Sequence, residues 1–153
     1  MTRKHRYIYK CVVLFCRWDW FPRLVATYYA HKIANTESLA THTTKHRILC
    51  LMANRFRGDI ECLSSAEDLE FIKLDHTILG RLYRGFYGSY NCSESWKDPE
   101  IRNRQDRYRA FLQVFLHHLF IRLQIKVIIC SGFLYKTTLD WAASCHRLGF
   151  PFI

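Results

Sequence analysis

The sequence predicts an α/β domain of three layers with a mainly parallel sheet, and two stretches of the chain carry that prediction. In residues 126–153, a short apolar run, a turn containing Gly132, about twelve residues of helical period and a second apolar run follow one another. That order is a βαβ unit, whose two strands lie parallel. Residues 47–74 repeat the order of strand, Gly-bearing turn, short helical stretch and strand. A chain of 153 residues is long enough to bury the core of such a domain.

The first 46 residues read as a basic helical extension that precedes the domain. From Pro22 onward, apolar residues recur at helical spacing, and the helix is expected to fade by Asn35. Residues 35–46 are rich in Ser, Thr, Asn and His, which is typical of a linker. The predicted division is therefore 1–46 for the extension and linker, and 47–153 for the domain.

The domain itself divides into strands and helices by periodicity. Residues 47–53 are nearly all apolar, as buried parallel strands are, and residues 69–74 form the next predicted strand. Asp75 can cap a helix that runs to about residue 86, and a polar loop follows over 88–99. A long helix is predicted from about 100 to 124, and its apolar stripe consists of Tyr108, Phe111, Leu112, Phe115, Leu119 and Leu123.

The end of the chain completes the predicted sheet. A strand over residues 127–130, a helix and a second apolar run from Phe150 form the βαβ unit. The sequence stops at Ile153, inside what we expect to be another strand, so we expect the chain to be truncated.

Composition excludes wholesale disorder and favours an acidic partner. Half of the residues are hydrophobic and the formal net charge is +10. Residues 1–46 carry eight Lys and Arg against Asp19 and Glu37, so most of the excess lies there. Such a bias suits nucleic acid, an anionic membrane surface or a phosphorylated substrate, and it does not choose among them.

The cysteines and the hydropathy pattern predict a cytoplasmic protein. Seven cysteines, an odd number without a CxxC pair, favour free thiols in a reducing compartment. No apolar run approaches the ~18 residues of a membrane-spanning helix, and Lys10 interrupts the N-terminal run that a signal peptide would need. Basic residues mixed with Tyr, Trp and Phe leave a peripheral membrane contact open. No cofactor is expected, and no metal, since the adjacent His117 and His118 diverge on a helix.

The residues of the domain resemble a known family. The runs RILCLMANRFRGDIECL, RYRAFL and KVIICSGFLYKTTLDWAASCHRLGFPFI look like the N-terminal Rossmann-like half of GT-B-like, glycosyltransferase-type proteins of surface or capsular carbohydrate biosynthesis. The likeness covers residues 47–153, and its most specific parts are the strand-to-loop run at 54–59 and the strand–loop–aromatic run that ends at residues 148–151. It implies a half that faces the acceptor, while the nucleotide-sugar donor is held mainly by a C-terminal half absent from this sequence. The resemblance therefore implies a carbohydrate or nucleotide-sugar substrate and a chain that is inactive alone.

The first candidate site follows the strand at 47–53. A helix N-terminus with two guanidinium groups can hold a phosphate or carboxylate, and a glycine lets the backbone approach closely. If the chemistry needs a general base, Asp59 is the better placed carboxylate. The alternative is a solvated turn in which Asp59 only caps the helix. The candidate substrate-binding residues here are Asn54, Arg55, Arg57 and Gly58, with Asp59 as the candidate catalytic residue.

The second candidate site occupies the equivalent place after the strand at 127–130. The hydroxyls of Ser131 and Tyr135 can bond a sugar, Gly132 provides the turn, and Lys136 can meet a phosphate. Turn chemistry with aromatic packing is an equally good explanation. Asp140 is assigned to capping or to the core rather than to the site.

A second functional class is a small basic binding module for nucleic acid or an anionic membrane surface. It would use residues 1–46 and the arginines at positions 102, 104, 107 and 109, with Tyr108 and Phe111 as stacking platforms. At helical spacing these two aromatics are expected to face the core instead, so nucleic acid is the minority interpretation.

Overall fold

In the described residues, three helices and a three-stranded, all-parallel sheet share a core that lies on one face of the sheet. The computed structural model describes residues 14–15, 18, 20–36, 44–52, 66–75, 86, 98–130 and 136–153. The strand order is β2-β1-β3, which confirms an α/β domain with a parallel sheet and is compatible with a Rossmann-like fold. The elements, in chain order, are α1 (Trp20–Thr36), β1 (His46–Met52), β2 (Leu69–Asp75), α2 (Pro99–Leu123), β3 (Ile125–Cys130) and α3 (Lys136–Leu148).

The central strand β1 is buried on both faces, which explains its continuous apolar sequence. Leu49 and Leu51 face the helices, and both are nearly inaccessible to solvent. Ile48 and Cys50 point to the opposite face, where they form a smaller cluster with residues of β2 and β3. A strand buried on both sides needs apolar residues at every position rather than at alternate ones.

Helix α2 is the central element of the core and has well-formed ends. The side chain of Asp98 accepts a hydrogen bond from the backbone N–H of Glu100 at 2.8 Å, and Pro99 occupies the first turn. At the other end Gln124 adopts a left-handed conformation with φ of 57°, and the chain enters β3 at the next residue. The six residues of the predicted apolar stripe are all buried, which confirms that prediction.

Helix α1 lies against α2 and shares its core, although it takes no part in the sheet. The rings of Phe21 and Phe111 have centroids 6.2 Å apart, as do those of Tyr29 and Phe115. The fully buried side chains of α1 are small or slender, with alanine at two positions, which lets the two helices approach closely. They are Pro22, Ala26, Ala30 and Ile33.

Helix α3 packs on α2 through Trp141 and ends in a Schellman motif. The Trp141 and Phe115 ring centroids lie 6.3 Å apart at an interplanar angle of 75°. Gly149 has φ of 72°, its N–H donates to the carbonyl of His146, and the N–H of Phe150 donates to the carbonyl of Cys145. These two bonds and the left-handed glycine define the motif. Residues 148–150 are therefore explained by helix termination, and Pro151 already accepts a hydrogen bond from Ile128 of β3.

The last residues continue the sheet beyond β3. Phe152 forms a parallel bridge with Ile128, and backbone hydrogen bonds link residues 151 and 153 to β3. This confirms the predicted βαβ unit. The predicted third layer falls on residues 53–65 and 76–97, which lie outside the described part of the chain except for Phe86. That the chain is truncated stays a prediction.

Candidate functional site

The two strands that precede the predicted loops are neighbours and end at the same edge of the sheet. β1 and β3 pair in parallel, with Leu51 opposite Cys130, so their carboxyl ends at Met52 and Cys130 lie side by side. The chain goes from β1 to β2 on one side and later returns to β3 on the other side of β1. In open α/β sheets such a reversal of strand order creates a crevice at the carboxyl ends of the strands, where ligands bind.

Most of the predicted site residues follow these two strand ends in sequence and lie outside the described residues. This holds for Asn54, Arg55, Arg57, Gly58 and Asp59 after β1, and for Ser131, Gly132 and Tyr135 after β3. Lys136 is the first residue of α3, and its side chain is likewise outside the described part. The structure thus gives the edge from which both loops depart, and the roles of these nine residues stay predictions.

The first turns of α3 are fixed beside that edge by buried polar groups. The Cys130 sulfur lies 4.0 Å from the Thr138 hydroxyl oxygen, and both side chains are buried. This contact links the start of α3 to the end of β3.

Asp140 is a fully buried carboxylate held by two residues of α2. Arg109 donates from Nε to Asp140 Oδ1 at 2.8 Å, and Gln105 donates from Nε2 to the same oxygen at 3.2 Å. The Arg109 side chain keeps 23% of its exposure, whereas the Asp140 side chain is completely buried. A buried carboxylate needs such partners, because an uncompensated charge in the core is costly. The core role expected for Asp140 is confirmed, and it consists of clamping α3 to α2.

Burial disfavours two thiols of the described residues, Cys50 and Cys145, as nucleophiles near neutral pH. Burial raises the pKa of Cys50 to about 11, an effect that Lys73 partly offsets, and it raises the pKa of Cys145 to about 12. Thiols act as nucleophiles in the thiolate form, and the raised pKa values keep Cys50 and Cys145 protonated near neutral pH. The neighbouring His146 is exposed while Cys145 is completely buried, so the two do not act as a thiol–imidazole pair.

The arginines of α2 do not form a base-stacking surface with their neighbouring aromatics. Tyr108 and Phe111 are buried in the core, which removes them as stacking platforms. Arg104 pairs with Glu100 one turn earlier, and Arg109 pairs with Asp140. Arg102 and Arg107 are exposed.

The histidine pair of α2 lies in a cationic environment without a metal-binding constellation. The rings of His117 and His118 have centroids 5.4 Å apart and are nearly perpendicular. Partial burial lowers the pKa of His118, and Arg23, His117 and Arg122 lower it further. Across the described ranges, no group of three or more His, Cys, Asp or Glu side chains is arranged to hold a metal ion.

A buried arginine lies at the amino ends of the strands, and the sequence analysis did not predict it. Arg47, at the start of β1, donates from Nε to Glu70 at 2.6 Å and from Nη1 to the carbonyl of Leu123 at 3.2 Å. Glu70 stands opposite Arg47 in the strand register, and Leu123 is the last residue of α2. The sequence did contain a signal for this pair: Arg47 and Glu70 occupy matching positions in two consecutive apolar strands, and cross-strand neighbours interact.

Comparisons of the chain with protein-family models, with curated proteins and with solved structures found no match. In the part of the chain that the structure describes, no helix combines the length and the apolar character needed to cross a bilayer.

Proposed function

We propose that this chain is the acceptor-side half of a glycosyltransferase-like protein of surface or capsular carbohydrate biosynthesis. Its ligand crevice lies at the carboxyl ends of β1 and β3, where a carbohydrate or the phosphate of a nucleotide-sugar binds. A cytoplasmic location agrees with free thiols at Cys50 and Cys145.

The observation that supports this function best is the strand order. In the order β2-β1-β3, the two strands that precede the candidate loops are adjacent and parallel, so both loops leave the sheet at the point where strand order reverses. An order with another strand between β1 and β3 would have moved the ends of these two strands apart. The two sets of polar residues can therefore serve one ligand.

The proposed roles follow from the chemistry of each side chain. Arg55, Arg57 and Lys136 neutralise a phosphate or carboxylate, and Arg55 and Arg57 provide planar bidentate donors. The Tyr135 ring and hydroxyl stack on and bond a sugar, with further polar contacts from Asn54 and Ser131 and room from Gly58 and Gly132. Asp59 accepts the proton of the acceptor hydroxyl. Transfer also requires the donor-binding half that the family resemblance implies.

Binding measured on the chain itself tests the proposal. A glycan array and a panel of nucleotide-sugars, followed by calorimetry on any hit, identify the ligand. We expect the Arg55→Gln/Arg57→Gln variant to weaken binding at least tenfold, because two charge-assisted contacts are lost. The matched control is Arg102→Gln/Arg107→Gln, which removes the same charge from the exposed face of α2.

Two outcomes would end the glycosyltransferase-like interpretation. One is the absence of binding to every glycan and nucleotide-sugar of the panel. The other is a ligand whose affinity falls equally in the crevice variant and in the α2 control, which would indicate a general effect of net charge.

A further inference from the structure

Helix α1 has a second apolar face, opposite to the one that packs on α2. Trp20, Leu24 and Tyr28 follow one another at intervals of four residues, so they lie along one side of the helix. Their exposed fractions are 49%, 58% and 60%. The periodicity that predicted this helix came partly from Leu24 and Tyr28, yet its buried face is formed by the smaller residues. The large apolar side chains are therefore left at the surface.

The exposed face extends beyond the helix toward the N-terminus. The Trp18 and Trp20 rings stack with centroids 6.3 Å apart, and Trp18 and Leu14 are each about half exposed. We call the set of Leu14, Trp18, Trp20, Leu24 and Tyr28 the aromatic face. Single exposed apolar residues are ordinary, but a contiguous group that includes two tryptophans marks an interaction surface.

Exposed cations accompany the aromatic face. Arg23 lies between Trp20 and Leu24 in the sequence of α1 and is itself exposed. Both Arg23 and Arg122 of α2 act electrostatically on His118, so the positive charge extends from α1 to α2. Ile121, next to Arg122 in sequence, is 59% exposed. Residues 20–36 and 107–123 contain no Asp or Glu, so no acid on either helix segment offsets these charges.

The sequence before α1 carries further positive charge. Residues 1–19 contain five Lys and Arg and a single acid, Asp19. A surface that combines exposed tryptophan, tyrosine and leucine with an excess of cations matches the boundary between lipid headgroups and acyl chains. The cations attract anionic headgroups, and the apolar side chains enter the region below them.

We propose that the aromatic face, with Arg23 and Arg122 beside it, docks this protein onto an anionic lipid bilayer, with α1 lying parallel to the membrane plane. A bilayer fits better than nucleic acid, because Leu14, Leu24 and Ile121 gain nothing from phosphates and have no aromatic ring for a base to stack on. The docking does not depend on the proposed transferase role.

Vesicle binding by the full chain tests the docking. The probes are phosphatidylcholine vesicles with and without about 30% phosphatidylserine, in cosedimentation at physiological salt. We expect binding to the anionic vesicles, a blue shift of tryptophan emission, and quenching by lipids brominated in their acyl chains. Quenching should fall in Trp18→Phe/Trp20→Phe, which keeps the aromatic rings but removes the two indoles of the aromatic face.

Substitutions identify the surface that binds. Arg23→Gln/Arg122→Gln should weaken binding to the anionic vesicles more than tenfold, since each cation near such a surface contributes about a fivefold factor. Leu24→Ser should weaken binding further. The matched controls lie on α3, where Arg147 and Leu139 are exposed in the same way; Arg147→Gln and Leu139→Ser should each leave binding within about twofold.

Three results would overturn the docking. The first is equal binding to vesicles with and without phosphatidylserine, or no binding to either. The second is an equal loss in the α1–α2 variants and in the α3 controls. The third is a loss, in the α1–α2 variants, of RNA binding or of self-association while vesicle binding is unchanged, which would assign the face to nucleic acid or to a second copy of the chain. Circular dichroism of each variant checks its folding, and lipid quenching of the unmodified protein needs no variant.

Discussion

Removing the arginine that compensates Asp140 should be among the most costly single changes in the described part of this protein. The Arg109→Met substitution keeps much of the aliphatic stem but deletes the group that lies 2.8 Å from a completely buried carboxylate. Breaking a buried ion pair from one side costs roughly 3–5 kcal/mol, because the remaining charge stays in the core. Arg109 keeps 23% of its exposure and Gln105 still donates to Asp140, so solvent and the amide reduce the loss. We expect about 2–4 kcal/mol.

Urea and thermal unfolding, followed by far-ultraviolet circular dichroism, measure this loss. For a chain of this length, about 3 kcal/mol corresponds to a fall in Tm of about 6–12 °C. The Arg147→Met variant on α3 is the control, and it should stay within about 0.5 kcal/mol of the unmodified protein, since Arg147 is exposed.

A double variant separates the buried charge from the lost packing. Arg109→Met combined with Asp140→Leu removes both charges and leaves an apolar contact between α2 and α3. We expect it to recover at least about 1 kcal/mol relative to Arg109→Met alone, because a buried contact between apolar side chains replaces a buried carboxylate that has lost its arginine. The stabilising role of the Arg109–Asp140 pair would be contradicted if Arg109→Met costs less than about 0.5 kcal/mol. It would also be contradicted if the free-energy cost of the double variant equals the sum of the costs of the two single variants.

Three further predictions concern the core, the end of α3 and a thiol. Phe115→Ala should cost about 3–5 kcal/mol in denaturant unfolding, because Phe115 is completely buried between α1 and α3. Leu139→Ala, on the surface, should cost less than about 0.5 kcal/mol, and similar losses in the two variants would contradict this packing of Phe115. Gly149→Ala should cost about 1 kcal/mol through its positive φ alone, since an added Cβ meets no atom within 4 Å; an unchanged Tm would argue against the Schellman motif. Because the pKa of Cys145 is raised from its ordinary value to about 12, the folded state keeps a proton that the unfolded state loses above about pH 9, so stability falls as pH rises. The difference in free energy of unfolding between the unmodified protein and Cys145→Ala should therefore shrink by about 1–2 kcal/mol between about pH 8 and 10.5. A difference that stays constant over this range would refute the raised pKa.

The two sequence runs that are most specific to the family resemblance do not support the proposed function equally. The end of the second run, at residues 148–150, is accounted for by the termination of α3, in which Gly149 supplies the left-handed conformation and Phe150 the second capping hydrogen bond. Any α/β protein with such a helix end can share it. The functional part of the resemblance therefore rests on residues 54–59 and 131–136, and the crevice variants test the first of these directly.

The sequence by itself determined the class of the fold, because that information is local. The continuous apolar run of β1, the period of the α2 stripe and the Gly149 turn each report on neighbouring residues, and the structure confirms all three. Boundaries differed by only one or two residues, as for the strand predicted to begin at Val127 and found to begin at Ile125.

The tertiary structure alone decided which residues meet across the fold. The burial of Arg47 and the pairing of Arg109 with Asp140 depend on elements that are 23 to 76 positions apart in sequence, which no local pattern encodes. The exposed side of α1 was decided in the same way. Its periodicity predicted a helix, but only close packing against α2 selected Ala26 and Ala30 for the interior and left Trp20, Leu24 and Tyr28 outside. The strand order that brings the two candidate loops to one edge is likewise a property of the sheet as a whole, because parallel strands pair only after long crossovers.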